Sequence, residues 1–511
     1  MKINKKYRQT YHANVPSAWS NDPNGMIFYK GKAHMFFQHY PHAAKWGIMH
    51  WGHFVSDDFI KWKTLPIALY PDQEYEKECG CCSGTAIEAD GILYIIYTAA
   101  QINHQSQCLA YSEDGIHFTK YEMNPIMTAE DLSDEISPRD FRDPKIFKKD
   151  NMYYCIAGTR LLDEEDKLKL KSFKDLPHSS DININNVAGS NAYVHGYGNL
   201  ILLKSDDLKH WSYIGPLLRL QKEIREALFK LNGVFECPDY FEIDGQEILL
   251  ASPQNYPSAG HSFNNLHSCI YAAGHLNLQT GNFVIHKTDE IDHGFDFYAP
   301  QTLKTDDGRI ILIAWKEMWD RTYPTETDQW IGSYTLPREL YYKNDHLYQS
   351  PVREIMNYRK NKKEVKDITL TNGSISFKDI EGNKIELIAD IDLGSSMRTG
   401  FKLMHSKEHA VYIYYDRSEK VLVFDRSNSG YEIFGREDET AIRKCDIYDS
   451  HYLNLHIFID VSSIEVFINN GIDTMTGNIY GDPKKDIGIT FFADNGTTTL
   501  DSLIKYDIVV E

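Results

Sequence analysis

The chain has 511 residues, 42% of them hydrophobic and 25% charged, which suits a globular protein with more than one domain. The net charge of −19 argues against nucleic acid and an anionic membrane as partners, because both bind a basic face. Aromatic residues make up 13% of the chain, with 33 Tyr among them, and this favours β-structure.

The N-terminal segment MKINKKYRQTYHANVPS carries basic residues but no apolar stretch, so it does not resemble a secretory signal. No apolar run approaches the length of a membrane span. The eight Cys, three of them in the CGCC of residues 79–82, match neither a zinc ribbon nor a disulfide framework. We therefore expect reduced thiols and a cytoplasmic location, with a metal site at CGCC as the alternative.

Five segments share one plan: a polar or acidic lead-in, an apolar run, a tight turn and a second apolar run. Their lead-ins fall near Asp22, Ser83, Asp143, Pro238 and Pro300. The spacing is about 60 residues, except for one longer interval between the third and the fourth. Each segment is typical of a β-hairpin, and a multi-strand unit at a constant period is typical of a propeller. We predict a five-bladed β-propeller over residues 1–345, with an insertion at 161–232.

After residue 345 the repeat stops, and the charged stretch KNKKEVKD predicts an exposed linker within residues 346–365. Alternating runs follow, such as KIELIADIDL and IFIDVSSIEVFINNG, separated by Gly, Asn and Asp. Many short strands with such turns are typical of a β-sandwich, here over residues 366–511. The predicted fold is therefore all-β: a propeller followed by a sandwich.

Three of the five lead-ins contain a carboxylate, namely Asp22, Asp143 and Glu236. Parallel inner strands of a propeller begin at the same mouth of the central channel, so these side chains are expected to converge. Carboxylates that share a pocket suit glycoside hydrolysis, which needs an acid and a base or nucleophile around the bond. The structural alternative is that Asp-Pro turns only cap the strand starts. The nearby His residues match no zinc spacing, and no metal is expected.

The motifs NDPNG at Asn21, FRDPK at Phe141 and ECPD at Glu236, in this order, resemble glycoside hydrolase family thirty-two, the family of invertases, fructanases and sucrose-6-phosphate hydrolases. Further similar blocks are FFQHYP at Phe36, SGTA at Ser83, DFYAPQ at Asp296 and IFIDVSSIEVFINNG at Ile457. The resemblance implies a five-bladed propeller followed by a β-sandwich. It also implies retaining hydrolysis of a β-fructofuranosyl bond without a cofactor, because two carboxylates and water complete that reaction.

Carried over by motif, the resemblance gives each carboxylate a role. Asp22 would attack the anomeric carbon of fructose, and Glu236 would protonate the leaving oxygen and then activate water. Asp143 would hold fructose hydroxyls and favour the oxocarbenium-like transition state. Burial and nearby negative charge would keep the acid protonated, while Arg142 is expected to keep Asp143 ionised.

The same resemblance implies a fructose subsite of amides, a hydroxyl, a guanidinium and an indole. Its residues would be Asn21, Gln38, Trp46, Ser83 and Arg142. Cys82 stands where the family commonly has an aromatic residue, so the wall of this subsite is expected to differ.

The expected substrate is a small sugar, sucrose or sucrose 6-phosphate. A phosphate would need basic groups near the pocket, such as Lys316, Arg321 or Arg160. Exo-hydrolysis of fructo-oligosaccharides, inulin or levan is the alternative within the enzyme class, and a non-catalytic carbohydrate-binding propeller is the alternative outside it. The sandwich is expected to brace the propeller, while sugar binding and a homodimer contact through it stay open.

Overall fold

Each of the five predicted hairpins forms the first two strands of a separate antiparallel sheet. The computed structural model describes residues 4–164, 166–167, 196–219, 233–437, 439–448 and 451–510. Blade one consists of Ala18–Tyr29, Lys32–Tyr40, His50–Ser56 and Trp62–Leu69. Blade two consists of Gly80–Ala89, Ile92–Ala100, Gln105–Ser112, Thr119–Lys120 and Met127–Thr128. Blade three consists of Ile136–Lys149, Met152–Leu161, Tyr197–Ser205 and Ser212–Pro216. Blades four and five consist of Phe235–Ile243, Gln246–Pro253, Ile270–Leu276 and Phe283–Glu290, and of Tyr298–Lys304, Ile310–Trp315, Arg338–Lys343 and His346–Pro351.

The first strands of the five blades form a closed ring. Each contacts the first strand of the next blade, and that of blade five contacts that of blade one. The short strand Trp330–Ile331 pairs in parallel with Ala18 and Trp19 and so ties the end of the propeller to its beginning. The predicted five-bladed propeller is therefore confirmed.

Every first strand contains a register shift at the same place. The shifts fall between Ser20 and Pro23, Cys82 and Gly84, Arg142 and Lys145, Glu236 and Asp239, and Tyr298 and Gln301. Pro stands inside three of the five shifts and ends a fourth, and a bulge is one of the few sheet positions that accept Pro, because Pro lacks the N–H of a ladder bond. Asp143, Cys237 and Ala299, each directly before such a Pro, have positive φ of 58°, 45° and 50°. The predicted lead-in turns are thus bulges within the strands, which re-aim side chains toward the channel mouth.

Part of the predicted insertion at 161–232 belongs to blade three, as the described residues of this range show. Tyr197–Ser205 and Ser212–Pro216 are the two outer strands of blade three, and Tyr197–Ser205 pairs along its length with Met152–Leu161. The charge and low apolar content that suggested an insertion lie mainly at 165 and 168–195, outside the described residues, as does the predicted helix within LQKEIREALFKLNG.

The C-terminal domain is a β-sandwich, as predicted. Its strands are Arg359–Ile375, Lys384–Asp392, Arg398–His405, Ala410–Asp416, Val421–Asn428, Ile442–Asp446, Tyr452–Asp460, Ser463–Ile468, Asp473–Asn478 and Gly488–Ile508. The last strand is shared by both layers, because its first half pairs with Arg398–His405 and its second half with Lys384–Asp392. Leu387 of one layer and Phe401 of the other belong to the same buried core.

The connection between the domains is shorter than the linker predicted at 346–365. His346–Pro351 is the fourth strand of blade five, and a short 3-10 helix, Arg353–Tyr358, leads directly into the first sandwich strand. The stretch KNKKEVKD lies in that strand, which pairs only with Gly488–Ile508. Repeated Lys on an edge strand keeps it from pairing with another chain, and this is why the stretch has the composition of a linker.

Helical structure in the described residues is limited to short turns, none of them long and apolar enough to cross a membrane. They are Glu74–Glu76, Ala129–Leu132, Pro324–Glu326, Arg353–Tyr358 and Asn469–Gly471.

The two domains meet through buried charged groups. Arg338, fully buried, donates to Asp292 of the propeller at 3.0 Å and to Glu465 of the sandwich at 2.7 Å. His12, from the N-terminal segment, lies 2.8 Å from Asp460 and 2.9 Å from Glu465. Paired buried charges of this kind fix one relative arrangement, because leaving either partner alone would strand a buried charge.

Candidate active site

Asp22, Asp143 and Glu236 come together at the mouth of the propeller, and Cys237 links them. The Sγ of Cys237 lies 3.5 Å from Oδ2 of Asp22 and 3.7 Å from Oδ2 of Asp143. Its backbone N–H donates to Oδ2 of Asp143 at 3.0 Å. Since Cys237 follows Glu236 directly in the chain, carboxylates from blades one, three and four share one pocket.

The bulges place the three carboxylates in two different positions of the repeat. Asp22 and Asp143 stand directly before the Pro of their blades, whereas Glu236 stands two residues before its Pro, in the register of Arg142. The position before Pro in blade four is taken by Cys237 instead. Glu236 is therefore offset from the two Asp by one position along its strand.

Asp22 is buried and held by one oxygen. Its Oδ2 accepts a hydrogen bond of 2.7 Å from the Ser83 hydroxyl of blade two. Its Oδ1 is buried and has no aligned hydrogen bond in the described part of the chain. Burial raises the pKa of Asp22, while the hydrogen bond from Ser83 and the neighbouring side chain of Asn21 oppose the rise. Ser83 thus fixes one oxygen of the Asp22 carboxylate.

Asp143 lies deepest among the charges of the pocket. Burial raises its pKa to about 7; Arg142 opposes this shift, while Glu236 and Asp22 add to it. Its Oδ2 lies 3.9 Å from Nε of Arg142. The expectation that Arg142 keeps Asp143 ionised is therefore wrong near neutral pH, because burial outweighs the guanidinium.

Glu236 is held at both oxygens. Its Oε1 accepts from Nε of Arg142 at 3.2 Å and from Nη2 of the same residue at 3.0 Å. Its Oε2 accepts from the Tyr298 hydroxyl at 2.7 Å, and that hydroxyl also lies 3.0 Å from the carbonyl oxygen of Ser252. Arg142 is in turn paired with Asp140 at 2.9 Å. These contacts fix the orientation of Glu236 toward the pocket.

Tyr298 was not predicted from the sequence, although a signal for it was present. In DFYAPQ it stands two residues before Pro300, and Glu236 and Arg142 stand two residues before their own Pro. Aligning the repeats on Pro would have placed Tyr298 beside them. The burial of its ring and the charge of Glu236 raise the pKa of Tyr298, so the phenol stays a donor.

The predicted fructose-subsite residues differ in how closely they approach the carboxylates. Ser83 and Arg142 hydrogen bond to them directly. Asn21 is next to Asp22 and accepts from the indole of Trp19 at 2.8 Å. The Gln38 amide donates instead to the carbonyl oxygen of Cys81, at 3.1 Å.

Cys82 and Trp46 are less directly connected to the pocket. The carbonyl oxygen of Cys82 accepts from the Trp51 indole at 2.9 Å, while its side chain is close enough for Asp143 and Asp22 to influence its pKa, which burial raises. Trp46 is half-buried in the loop between the second and third strands of blade one. No hydrogen bond among the described residues joins Trp46 to the carboxylates.

Three indoles form an aromatic surface beside Asn21 that sequence reasoning missed. The ring centroids of Trp19 lie 5.9 Å from Trp315 and 5.8 Å from Trp319, which are themselves 5.2 Å apart. Trp19 and Trp319 are half-buried, so part of each ring faces outward. Flat aromatic faces of this kind pack against the apolar C–H faces of sugars.

The three basic residues considered for a phosphate are all buried among other partners. Nζ of Lys316 donates to Gln9 and to Ser463, at 2.8 and 2.9 Å. Arg321 lies 2.9 Å from Asp296, and Arg160 lies 3.2 Å from Asp140. Ser463 and Glu437, to which Arg321 donates at 3.1 Å, belong to the sandwich, so Lys316 and Arg321 lie at the domain interface rather than at an exposed anion site.

A propeller whose inner strands gather three carboxylates, with a hydroxyl and a guanidinium fixing two of them, has the architecture and the site of a glycoside hydrolase. Comparison with known families agrees with this class. Residues 12–183 and 184–351 match the glycosyl hydrolases family 32 N-terminal domain, and residues 354–507 match the family 32 C-terminal domain. The chain belongs to glycosyl hydrolase family 32, and the resemblance seen in its motifs is confirmed.

Individual relatives cover nearly the whole chain. A sucrose-6-phosphate hydrolase of Zymomonas mobilis is 32% identical, over 99% of this chain and 93% of that protein. The structure of a sucrose-6-phosphate hydrolase from Lactobacillus gasseri superposes with a TM-score of 0.81 at 26% identity, covering 99% of this chain and 94% of that one. A β-fructofuranosidase of Bombyx mori gives 0.76 at 28% identity, covering 99% and 95%. The chain is therefore a glycoside hydrolase of the propeller-plus-sandwich type.

Proposed function

We propose that the chain is a β-fructofuranosidase that hydrolyses sucrose or sucrose 6-phosphate with retention and releases fructose. The observation that carries this proposal is the meeting of Asp22, Asp143 and Glu236 around Cys237 on a family 32 fold. Supporting it, similar proteins are named sucrose-6-phosphate hydrolase and β-fructofuranosidase.

In this proposal Asp22 is the nucleophile. An oxygen of its carboxylate forms the bond to the anomeric carbon of fructose, while the hydrogen bond from Ser83 holds the carboxylate in place. The bond from that carbon to the leaving oxygen breaks, and Glu236 gives its proton to that oxygen. A fructosyl ester of Asp22 and a free glucosyl hydroxyl result.

The second step reverses these roles. Glu236, now ionised, takes a proton from water, and the water oxygen displaces Asp22 from the anomeric carbon. Arg142 and Tyr298 hold the carboxylate of Glu236 in one orientation through both steps. Asp143 hydrogen bonds to fructose hydroxyls as positive charge develops on the sugar ring in the transition state.

Azide separates the two carboxylate roles. With an activated fructoside, Glu236→Gln should be slow in water and regain rate with azide, giving a fructosyl azide of retained configuration, because azide needs no base. Asp22→Asn should form no covalent intermediate and lose nearly all activity. Asp150→Asn, the same chemical change at an exposed turn of blade three, serves as the control. Wild-type activity in Asp22→Asn would overturn the mechanism, as would a wild-type rate in Glu236→Gln.

The substrate is decided by the ratio of kcat/KM for sucrose 6-phosphate over sucrose, measured on the purified chain. A ratio far above one would show that the chain binds the phosphate. Because Lys316 and Arg321 are buried, we expect other residues to bind it. A ratio near or below one favours free sucrose, and the same assay with short fructo-oligosaccharides, inulin and levan tests the exo-hydrolase alternative.

We also propose that the protein acts in the cytoplasm. All eight Cys are free, and seven of the eight are buried. Reduced thiols are the rule in that compartment. A homodimer through the sandwich stays a prediction, which the mass of the chain in solution tests by light scattering.

A further inference from the structure

A second group of chemically active side chains lies where the propeller meets the sandwich. His293 follows the last strand of blade four, Cys445 lies in Ile442–Asp446, and Asp473 begins Asp473–Asn478. One ligand atom of each lies within 4.8 Å of the other two. Among the described residues this is the one such group of three or more His, Cys, Asp or Glu.

The backbone holds these side chains in fixed positions. The N–H of His293 donates to the carbonyl oxygen of Thr474 at 2.8 Å, directly beside Asp473. A Cβ added at Gly294 would stand 2.0 Å from the backbone nitrogen of Thr476, so only Gly allows the backbone segments around residues 294 and 476 to come this close. His293 and Asp473 are therefore brought together by main-chain contacts that do not depend on a charge between them.

Their spacing suits a tetrahedral zinc ion. Nε2 of His293 lies 3.4 Å from Oδ1 of Asp473. Zinc bonds of 2.0–2.2 Å to nitrogen and oxygen place such ligand atoms about 3.3–3.6 Å apart in a tetrahedron. Nδ1 of His293 lies 3.1 Å from Oε2 of Glu290, which itself accepts from the N–H of Phe263 at 2.8 Å. Nδ1 makes no aligned hydrogen bond among the described residues, but Glu290 stands on the side from which a carboxylate usually supports a zinc-bound imidazole.

We propose that His293, Cys445 and Asp473 bind one zinc ion and join the two domains through it. Cys445 binds as a thiolate, His293 binds through Nε2 in the neutral form, and Asp473 gives one carboxylate oxygen. The proton of the thiol is released to solvent on binding. The side chain of Asp473 is 21% exposed, which provides an entry path and room for water as the fourth ligand.

The choice of metal follows from the donors. A thiolate with an imidazole selects zinc over calcium or magnesium, which prefer oxygen ligands alone. Two anionic ligands balance the charge of the ion. The competing interpretation is a protonated His293 that bridges Glu290 and Asp473 beside an inert thiol; it predicts no metal at all.

The test uses the full chain without a polyhistidine tag. Wild-type protein is stripped with a chelator, reloaded with zinc, passed over a desalting column and measured for zinc per chain and for Tm. We expect about one zinc per chain and a higher Tm that a chelator reverses. Cobalt in place of zinc should add a thiolate-to-cobalt absorption band. Absence of retained zinc together with absence of that band in the wild type would overturn the proposal without any variant.

Matched variants locate the ion. Cys445→Ser and His293→Gln should lose the retained zinc and the chelator-sensitive part of Tm. Cys79→Ser, which removes a thiol of the CGCC segment, should keep both. Loss of zinc in Cys79→Ser and its retention in Cys445→Ser would refute the assignment and place the metal at CGCC.

Discussion

Replacing Asp143 by Asn should stabilise the fold while it impairs the enzyme. Asp143 is buried, with its pKa raised from 3.8 to about 7 by burial and by Glu236 and Asp22, against the opposing Arg142. Between these two pH values the folded chain keeps a proton on Asp143 that the unfolded chain has lost. The free energy of unfolding therefore falls as the pH rises through this interval.

The magnitude follows from the shift. Each pH unit contributes about 1.4 kcal/mol, so the ionisable group lowers stability by up to about 4 kcal/mol at pH 7 and above. Asn carries no charge and removes this pH dependence, and it tolerates the positive φ of 58° at residue 143. The gain is reduced by the contact with Arg142, which Asn weakens. We expect Asp143→Asn to gain roughly 2–3 kcal/mol relative to wild type as the pH is raised from 5 to 7.

The assay is urea unfolding followed by Trp fluorescence at several pH values between 5 and 8, with transition midpoints compared because two domains need not unfold in one step. Asp150→Asn makes the same chemical change at an exposed turn of the same blade and should show a flat difference. If Asp143→Asn is less stable than wild type at pH 8, or if its advantage does not grow with pH, burial of Asp143 is not the dominant effect and the reasoning fails.

Three further predictions test other contacts. Tyr298→Phe removes a hydrogen bond of 2.7 Å to the proposed acid and should lower kcat/KM by about 10- to 100-fold, since such bonds to charged groups contribute roughly 1.5–3 kcal/mol. As the control, Tyr341→Phe loses an exposed hydrogen bond and should leave kcat/KM unchanged. Ser83→Ala removes a bond that lowers the pKa of Asp22, so the acid limb of the kcat/KM profile should move up by about one pH unit; an unmoved limb would contradict Asp22 as nucleophile. Arg338→Met removes the guanidinium that pairs with the buried carboxylates of Asp292 and Glu465, and it should lower the free energy of unfolding by about 3–5 kcal/mol, measured in urea.

The propeller and the three carboxylates could be predicted because their signals are local. Pro recurs at one place in four of the five repeats, with an acidic residue beside it in three, and the hairpins recur at a nearly constant distance except for one longer interval. The bulges could not be predicted, because a register shift depends on the pairing of two strands and not on one stretch of chain. Glu236 therefore appeared equivalent to Asp22, although the structure offsets it by one position.

The errors have a common physical cause: the charge of a residue does not show whether its side chain is exposed or buried in the fold. The Lys-rich stretch after Lys360 has the composition of a linker but forms an exposed edge strand. Lys316 and Arg321 were considered for a phosphate, yet they have partners far away in the sequence, at Ser463 and Glu437. Pairings of this kind arise only when two domains close on each other, so a single sequence does not contain them as a local pattern.

The carboxylates of the pocket and of the domain interface show that neighbouring groups decide whether a buried carboxylate stabilises or destabilises the fold. Burial opposes ionisation at both places. At Glu465 it is outweighed by Arg338 and His12, which lower the pKa from 4.5 to about 2, so this group stabilises the fold above pH 4.5 and loses that effect as the pH falls through 2. At Asp143 burial prevails and other carboxylates reinforce it, so the contribution has the opposite sign. A pocket that gathers carboxylates for catalysis thus lowers the stability of the propeller near neutral pH, and the paired charges between propeller and sandwich offset this loss in the same pH range.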